Sequence, residues 1–144
     1  MAITSIDVAN VFLKLSDPES GDALTNLKLQ KLVYYAQGFH LAIYGIVLFN
    51  ETILHWDHGP VIRELYDELK QYGSDSIPIP ENFDVNIFSE DQIKLIEEVN
   101  NVYGQFSAWK LRDMTHAESP WVNTKKDEPI TPDMMAPYFS TLLV

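Results

Sequence analysis

Between Thr25 and Gly45 the chain carries the pattern of one long helix. Leu29, Leu32, Val33, Ala36, Phe39 and Ile43 recur at three- and four-residue spacing, which places them on one face of a coil with 3.6 residues per turn. The Thr25 hydroxyl is suited to cap the first turn. Gly45 is suited to end the last one, because glycine takes the left-handed cap without a Cβ penalty. Lys28 and Lys31 are expected to face water. Gly38 is unusual, since glycine inside a helix costs about 1 kcal/mol against alanine. A close crossing of another backbone would explain it, and so would a tolerated defect.

The stretch Ile46 to Trp56 is short and rich in β-formers. Val47 alternates with Phe49 and Ile53 with His55, around Asn50-Glu51. This predicts a small hairpin or extended arm before a Trp-x-x-Gly-Pro corner. Pro60 is expected at the first position of a second helix, where its fixed φ fits and its missing N–H is not needed. Val61, Leu65 and Leu69 would be that helix's apolar stripe, with Gly73 at its end. Ser5 to Leu15 reads as a first helix, capped by Thr4 or Ser5, with Asp7 in its first turn. Residues 74–88, with two prolines, read as a surface loop. Ser89 with Gln92 makes a capping-box pattern, Ser107 is another cap, and Thr131-Pro132 starts a closing helix with Met134, Met135, Tyr138, Phe139 and Leu142. The expected fold is mainly α: one compact domain over 1–144, five to six helices, and a minor β element.

Composition narrows the function. The 144 residues include no cysteine, which removes disulfide scaffolds, cysteine-ligated metal sites and thiol catalysis. No apolar stretch approaches the roughly 20 residues that span a bilayer, and the N-terminus has no signal-peptide pattern. A cytoplasmic protein without membrane contact is expected. Ten basic residues stand against 21 acidic ones, a net charge of −11. Such a surface repels nucleic acid, which is bound through lysine and arginine. It serves solubility or attracts a basic partner.

Several residues invite chemistry. His55 and His58 flank Trp56-Asp57, but on an extended segment residues three apart point to opposite faces, which opposes a shared metal ion. A third ligand such as His116 would have to come from afar, so neither a metal nor a cofactor is expected. His116 reads as a helix-end histidine that complements the dipole, as a partner contact or as a general base. A hydrolase reading would use His58, Asp57 and His116. No serine lies in a nucleophile-elbow context, so nucleophilic catalysis has no obvious agent and a non-enzyme is favoured. Trp56, Trp109 and Trp121 read as core or as contact anchors. Tyr34, Tyr35, Tyr66 and Tyr72 flank the Gly-Pro corner and cannot all face inward. Consecutive Tyr34 and Tyr35 diverge by about 100°, so one of them is expected at the surface near Trp56, in an aromatic groove. The candidate contact set is Tyr34, Tyr35, Trp56, His58, Tyr66, His116 and Trp121.

Three motifs occur in order: KLQKL (28–32) followed by two tyrosines, W-x-x-G-P-V-x-x-x-L-Y (56–66), and T-H-x-x-x-P-W (115–121). Together they resemble the Panacea domain, the family of SocA-like antitoxins and of some phage-associated proteins. The resemblance runs from the first helix to Trp121. It implies a bacterial or phage protein that neutralises a cognate protein toxin by direct binding, either by occlusion or as an adaptor to a protease complex. Relatives with an added DNA-binding domain exist, and no segment is expected to form one here. A phage- or prophage-encoded regulatory adaptor without its own toxin is the second reading.

Overall fold

The structure, a computed structural model, describes residues 2–21 and 23–143. Among them are α1 (Ser5–Leu15), α2 (Asn26–Tyr44), β1 (Ile53–Trp56), β2 (Gly59–Ile62), α3 (Arg63–Leu69), α4 (Glu90–Tyr103), α5 (Ala108–His116), α6 (Ser119–Val122), β3 (Pro129–Ile130) and α7 (Pro132–Ser140). The fold is mainly α, with a small antiparallel sheet in the order β2-β1-β3. The single-turn α6, which carries Trp121, accounts for the helix beyond the expected six.

Local capping chemistry sets the helix ends. Thr4 and Asp7 form a reciprocal capping box at α1, as Ser89 and Gln92 do at α4. Thr25 and Ser107 accept from the third backbone N–H of α2 and α5. Gly45 ends α2 at φ 73°. Glu51, from the loop after α2, accepts the Ser5 N–H at 2.6 Å and so ties that loop to the start of α1.

α2 is the axis of the molecule. It packs against α1, α4, α5, α7 and β2, and burial reaches around nearly its whole circumference. A helix enclosed on all sides has no water face left for its polar residues. Lys31, expected at the surface, is therefore fully buried. Tyr34 and Tyr35 are also fully buried, which corrects the expectation that one of them is exposed. Both rings pack edge-on to Phe139 of α7, at 5.5 and 6.0 Å between centroids.

The hairpin lies one step further along the chain than the residue pattern predicted. Asn50-Glu51 is not its turn. Asp57 and His58 are, and Trp56 pairs with Gly59, His55 with Pro60 and Leu54 with Val61. Pro60 thus sits in a strand and helix α3 starts at Arg63. A strand tolerates proline where no ladder bond is required of it. Here the backbone N–H and C=O of His55 bond to Glu128 and Asp127 on the other side of β1, at 3.0 and 2.8 Å. Pro129–Ile130, two residues without a period-2 pattern, form the third strand against Leu54 and Ile53.

Gly38 is explained by a side chain and not by a crossing backbone. A Cβ there would come within 2.2 Å of the Phe139 ring, and that ring is held by Tyr34, Tyr35 and Phe39. Gly38→Ala should therefore lower stability by about 2 kcal/mol, overpacking outweighing the gain in helix propensity. Urea denaturation checks this. An alanine variant as stable as the wild type would show that the ring can yield.

Candidate functional site

The hairpin is held from below by side chains of α2. Gln30 accepts the Ile62 N–H at 2.8 Å while its amide donates to Asn26 at 3.1 Å. Lys31 donates from Nζ to the Pro60 carbonyl at 3.2 Å. Gln37 does the same for the loop before the hairpin, accepting from Leu48 N at 2.7 Å and donating to Phe49 O at 2.7 Å. Gly59 completes the seat. Its φ is 102°, and a Cβ would come within 2.8 Å of both Lys31 Cε and Thr115 Oγ1, so only glycine fits.

From above, Trp121 pins β1. Its indole N–H donates to the Trp56 carbonyl at 3.1 Å. Its ring lies between those of His55 and His116, each 4.0 Å away and nearly parallel. Burial, then the nearby Arg112 guanidinium, hold the His116 imidazole below its ordinary range, with the Asp57 backbone pulling the other way. His55, His58 and His116 thus have separate settings: two stack on Trp121, and His58 accepts from Arg112 Nε at 3.3 Å. The Asp57 carboxylate faces Lys126 at 3.7 Å. Among the described residues no three His, Asp or Glu side chains are grouped to hold a metal ion.

These supports present an open groove of about 700 Å³ between the hairpin, the start of α2, α3 and α5. Trp56, Tyr66, Leu27, Val61 and Trp109 give it apolar walls, and Gln30, Asp57, His58, Lys126 and Asp127 bring polar groups. Trp56 packs edge-on to Tyr66, and His58 edge-on to Trp109. Arg112 lies 5.5 Å over the Trp109 ring. Of the contact set read from the residues, Trp56, His58 and Tyr66 line this groove. Tyr34, Tyr35, His116 and Trp121 stand behind it as its support. Trp109, 56% exposed, belongs to the groove and was absent from that set. A tryptophan two residues into a short helix carries no period that tells wall from core.

Two ionisable side chains lie buried beneath the site. Burial, and then Arg112, bring the Lys31 ammonium down to about 7. Burial raises the Glu118 carboxyl to about 7, against hydrogen bonding from tyrosine hydroxyls. Tyr35 donates to Glu118 at 2.7 Å and stacks on Tyr103 at 4.0 Å. Both ionisable residues fall within the motifs quoted above, Lys31 inside an apolar run and Glu118 just before Pro120-Trp121. Lys31 lies between the buried Gln30 and Leu32, whereas Glu118 lies between the exposed Ala117 and Ser119, so no local pattern marked its burial.

The fold is thus a mainly helical domain that shows an aromatic groove on a braced hairpin. The family model for the antitoxin SocA-like, Panacea domain matches residues 29–122, nearly two thirds of the chain, and the chain belongs to that family. The matched span begins in α2, not in α1, and ends with α6. It contains Gln30, Lys31, the hairpin, Trp109, Glu118 and Trp121, whereas Leu27, Lys126 and Asp127 of the groove lining fall outside it. Comparison with curated proteins and with solved structures returned no match.

The two buried groups leave opposite marks on stability. The folded state holds the Glu118 proton above its ordinary 4.5, so that stabilisation is full below 4.5 and is lost as pH rises toward 7. The folded state resists charging Lys31, so its stabilisation is full above 10.5 and is lost as pH falls toward 7. Glu118→Gln should flatten the pH profile of unfolding free energy between 4.5 and 7, where the carboxyl contributes a slope of up to ~1.4 kcal/mol per pH unit. Lys31→Met should flatten it above 7. Denaturant titrations across pH test both, and profiles parallel to the wild type would refute the assignment.

Proposed function

We propose that this protein is an antitoxin-type interaction protein, non-enzymatic, that neutralises a cognate protein toxin by gripping it in the groove between the hairpin and α5. Family membership supports the antitoxin role. The single observation that carries the surface is Trp109, a large aromatic ring left 56% exposed beside Trp56, Tyr66 and His58 on a rigid seat. Binding energy concentrates in few residues, and tryptophan, tyrosine and arginine lead among them. A groove whose walls are already ordered loses little freedom on binding.

The mechanism is occlusion: a braced helical domain covers the toxin's working surface. The net charge of −11 suits a basic toxin and speeds encounter.

Coexpression with the product of the neighbouring reading frame tests the reading. That product should be toxic alone and harmless with this protein. Trp109→Ala and Trp56→Ala should each weaken the complex by roughly tenfold or more while the far-ultraviolet circular dichroism stays unchanged. Raising salt should slow association. A harmless neighbour, rescue by both alanine variants at wild-type affinity, or recovery of protease subunits in place of a toxin would each defeat it.

A further inference from the structure

A second groove, of about 410 Å³, opens at the other end of α2. Its floor is Phe39, Leu95, Val99 and Tyr103, all partly or fully buried. Its rims are Ile43 on α2, Val102 on α4 and Leu142 with Leu143 after α7, each 39 to 49% exposed. The two grooves share no residue. Gln30 and Phe39, their nearest linings on α2, stand ~13 Å apart along its axis.

The shape and the charge of this groove select one kind of occupant. Phe39 and Ile43 of α2 face Leu95, Val99 and Val102 of α4, with the end of α7 on one side, and these apolar rims suit the anchors of an amphipathic helix at three- and four-residue spacing. Charge decides the other face of that helix. Glu98 lines the groove, and the exposed face of α4 also carries Glu90, Asp91 and Glu97 against one lysine, Lys94. A second copy of this chain would bring the same carboxylates, and an anionic lipid surface would be repelled, so a basic polypeptide fits best.

We infer that the groove bounded by Ile43, Val102 and Leu142 is a second docking site, which takes a basic amphipathic helix of a protein partner. It is independent of the aromatic groove, so both can be filled at once.

The test uses purified full-length protein and a fluorescein-labelled leucine–lysine peptide with leucines at helical spacing, read by anisotropy. A leucine–glutamate peptide of the same pattern is the control. The lysine peptide should bind, and the glutamate peptide should bind at least roughly tenfold more weakly. Ile43→Glu and Val102→Glu, on separate rims and both at half-exposed positions, should each weaken the lysine peptide by roughly tenfold. Trp109→Ala should leave it unchanged. The glutamate substitutions add negative charge, so attraction by charge alone would tighten binding. No binding, equal binding of both peptides, tighter binding by the glutamate variants, or a dimer in sedimentation velocity that Ile43→Glu dissociates would overturn the inference.

Discussion

Everything exposed at the aromatic groove depends on polar side chains that one buried helix extends to the backbone of its neighbours. α2 is enclosed around most of its circumference, yet it carries Asn26, Gln30, Lys31, Gln37 and His40 in the interior. Such groups destabilise a core unless they are hydrogen-bonded. Here they take the place of a missing strand. Gln30 answers the free N–H of Ile62, Lys31 the carbonyl of Pro60, and Gln37 both ends of Leu48-Phe49. His40 does likewise for the Ile46 carbonyl at 2.8 Å. The hairpin edge and the loop before it therefore need no further strand and no water, and they acquire one position relative to α2.

That arrangement has an energetic cost. A buried lysine with one carbonyl partner and a buried carboxyl among tyrosines add less stability than apolar side chains of equal volume would. What they supply is position. Lys31 fills the space that Gly59 leaves open, under the turn that carries Asp57 and His58. Glu118, the residue before α6, is anchored by the Tyr35 hydroxyl, and Trp121 of α6 clamps Trp56 from the other side. The hairpin is thus fixed by α2 below and α6 above, with its turn and the exposed Trp109 at the mouth of the groove. Contact surfaces built on rigid supports lose less entropy on association than flexible ones.

The residues announced their short-range chemistry well and their long-range chemistry poorly. The caps at Thr4, Thr25, Gly45, Ser89 and Ser107 involve partners a few residues away, and all five lie where the pattern placed them. Pro60 misled because a helix start and an edge strand both accept a residue without an N–H. Which applies is decided by the pairing of Pro60 with His55 across the Asp57-His58 turn. Lys31 and the tyrosine pair misled for one reason. Periodicity marks an apolar stripe, but α2 has packing partners on every side, so residues off the stripe are buried too. The aromatic groove near Trp56 was legible because tryptophan, histidine and tyrosine cluster around a tight corner. Trp109 was not, since nothing local reveals that α5 brings it beside His58.

Hydrogen exchange on the free protein and on its complex with the cognate partner tests the central claim most directly. In the free protein the amides of Leu48 and Ile62, held by Gln37 and Gln30, should exchange as slowly as those in the middle of α2. In the complex, new protection should appear at residues 56–59 and in the first turn of α5. Fast exchange at Leu48 and Ile62 in the free protein, or a complex that leaves the hairpin turn and α5 unchanged, would contradict the account.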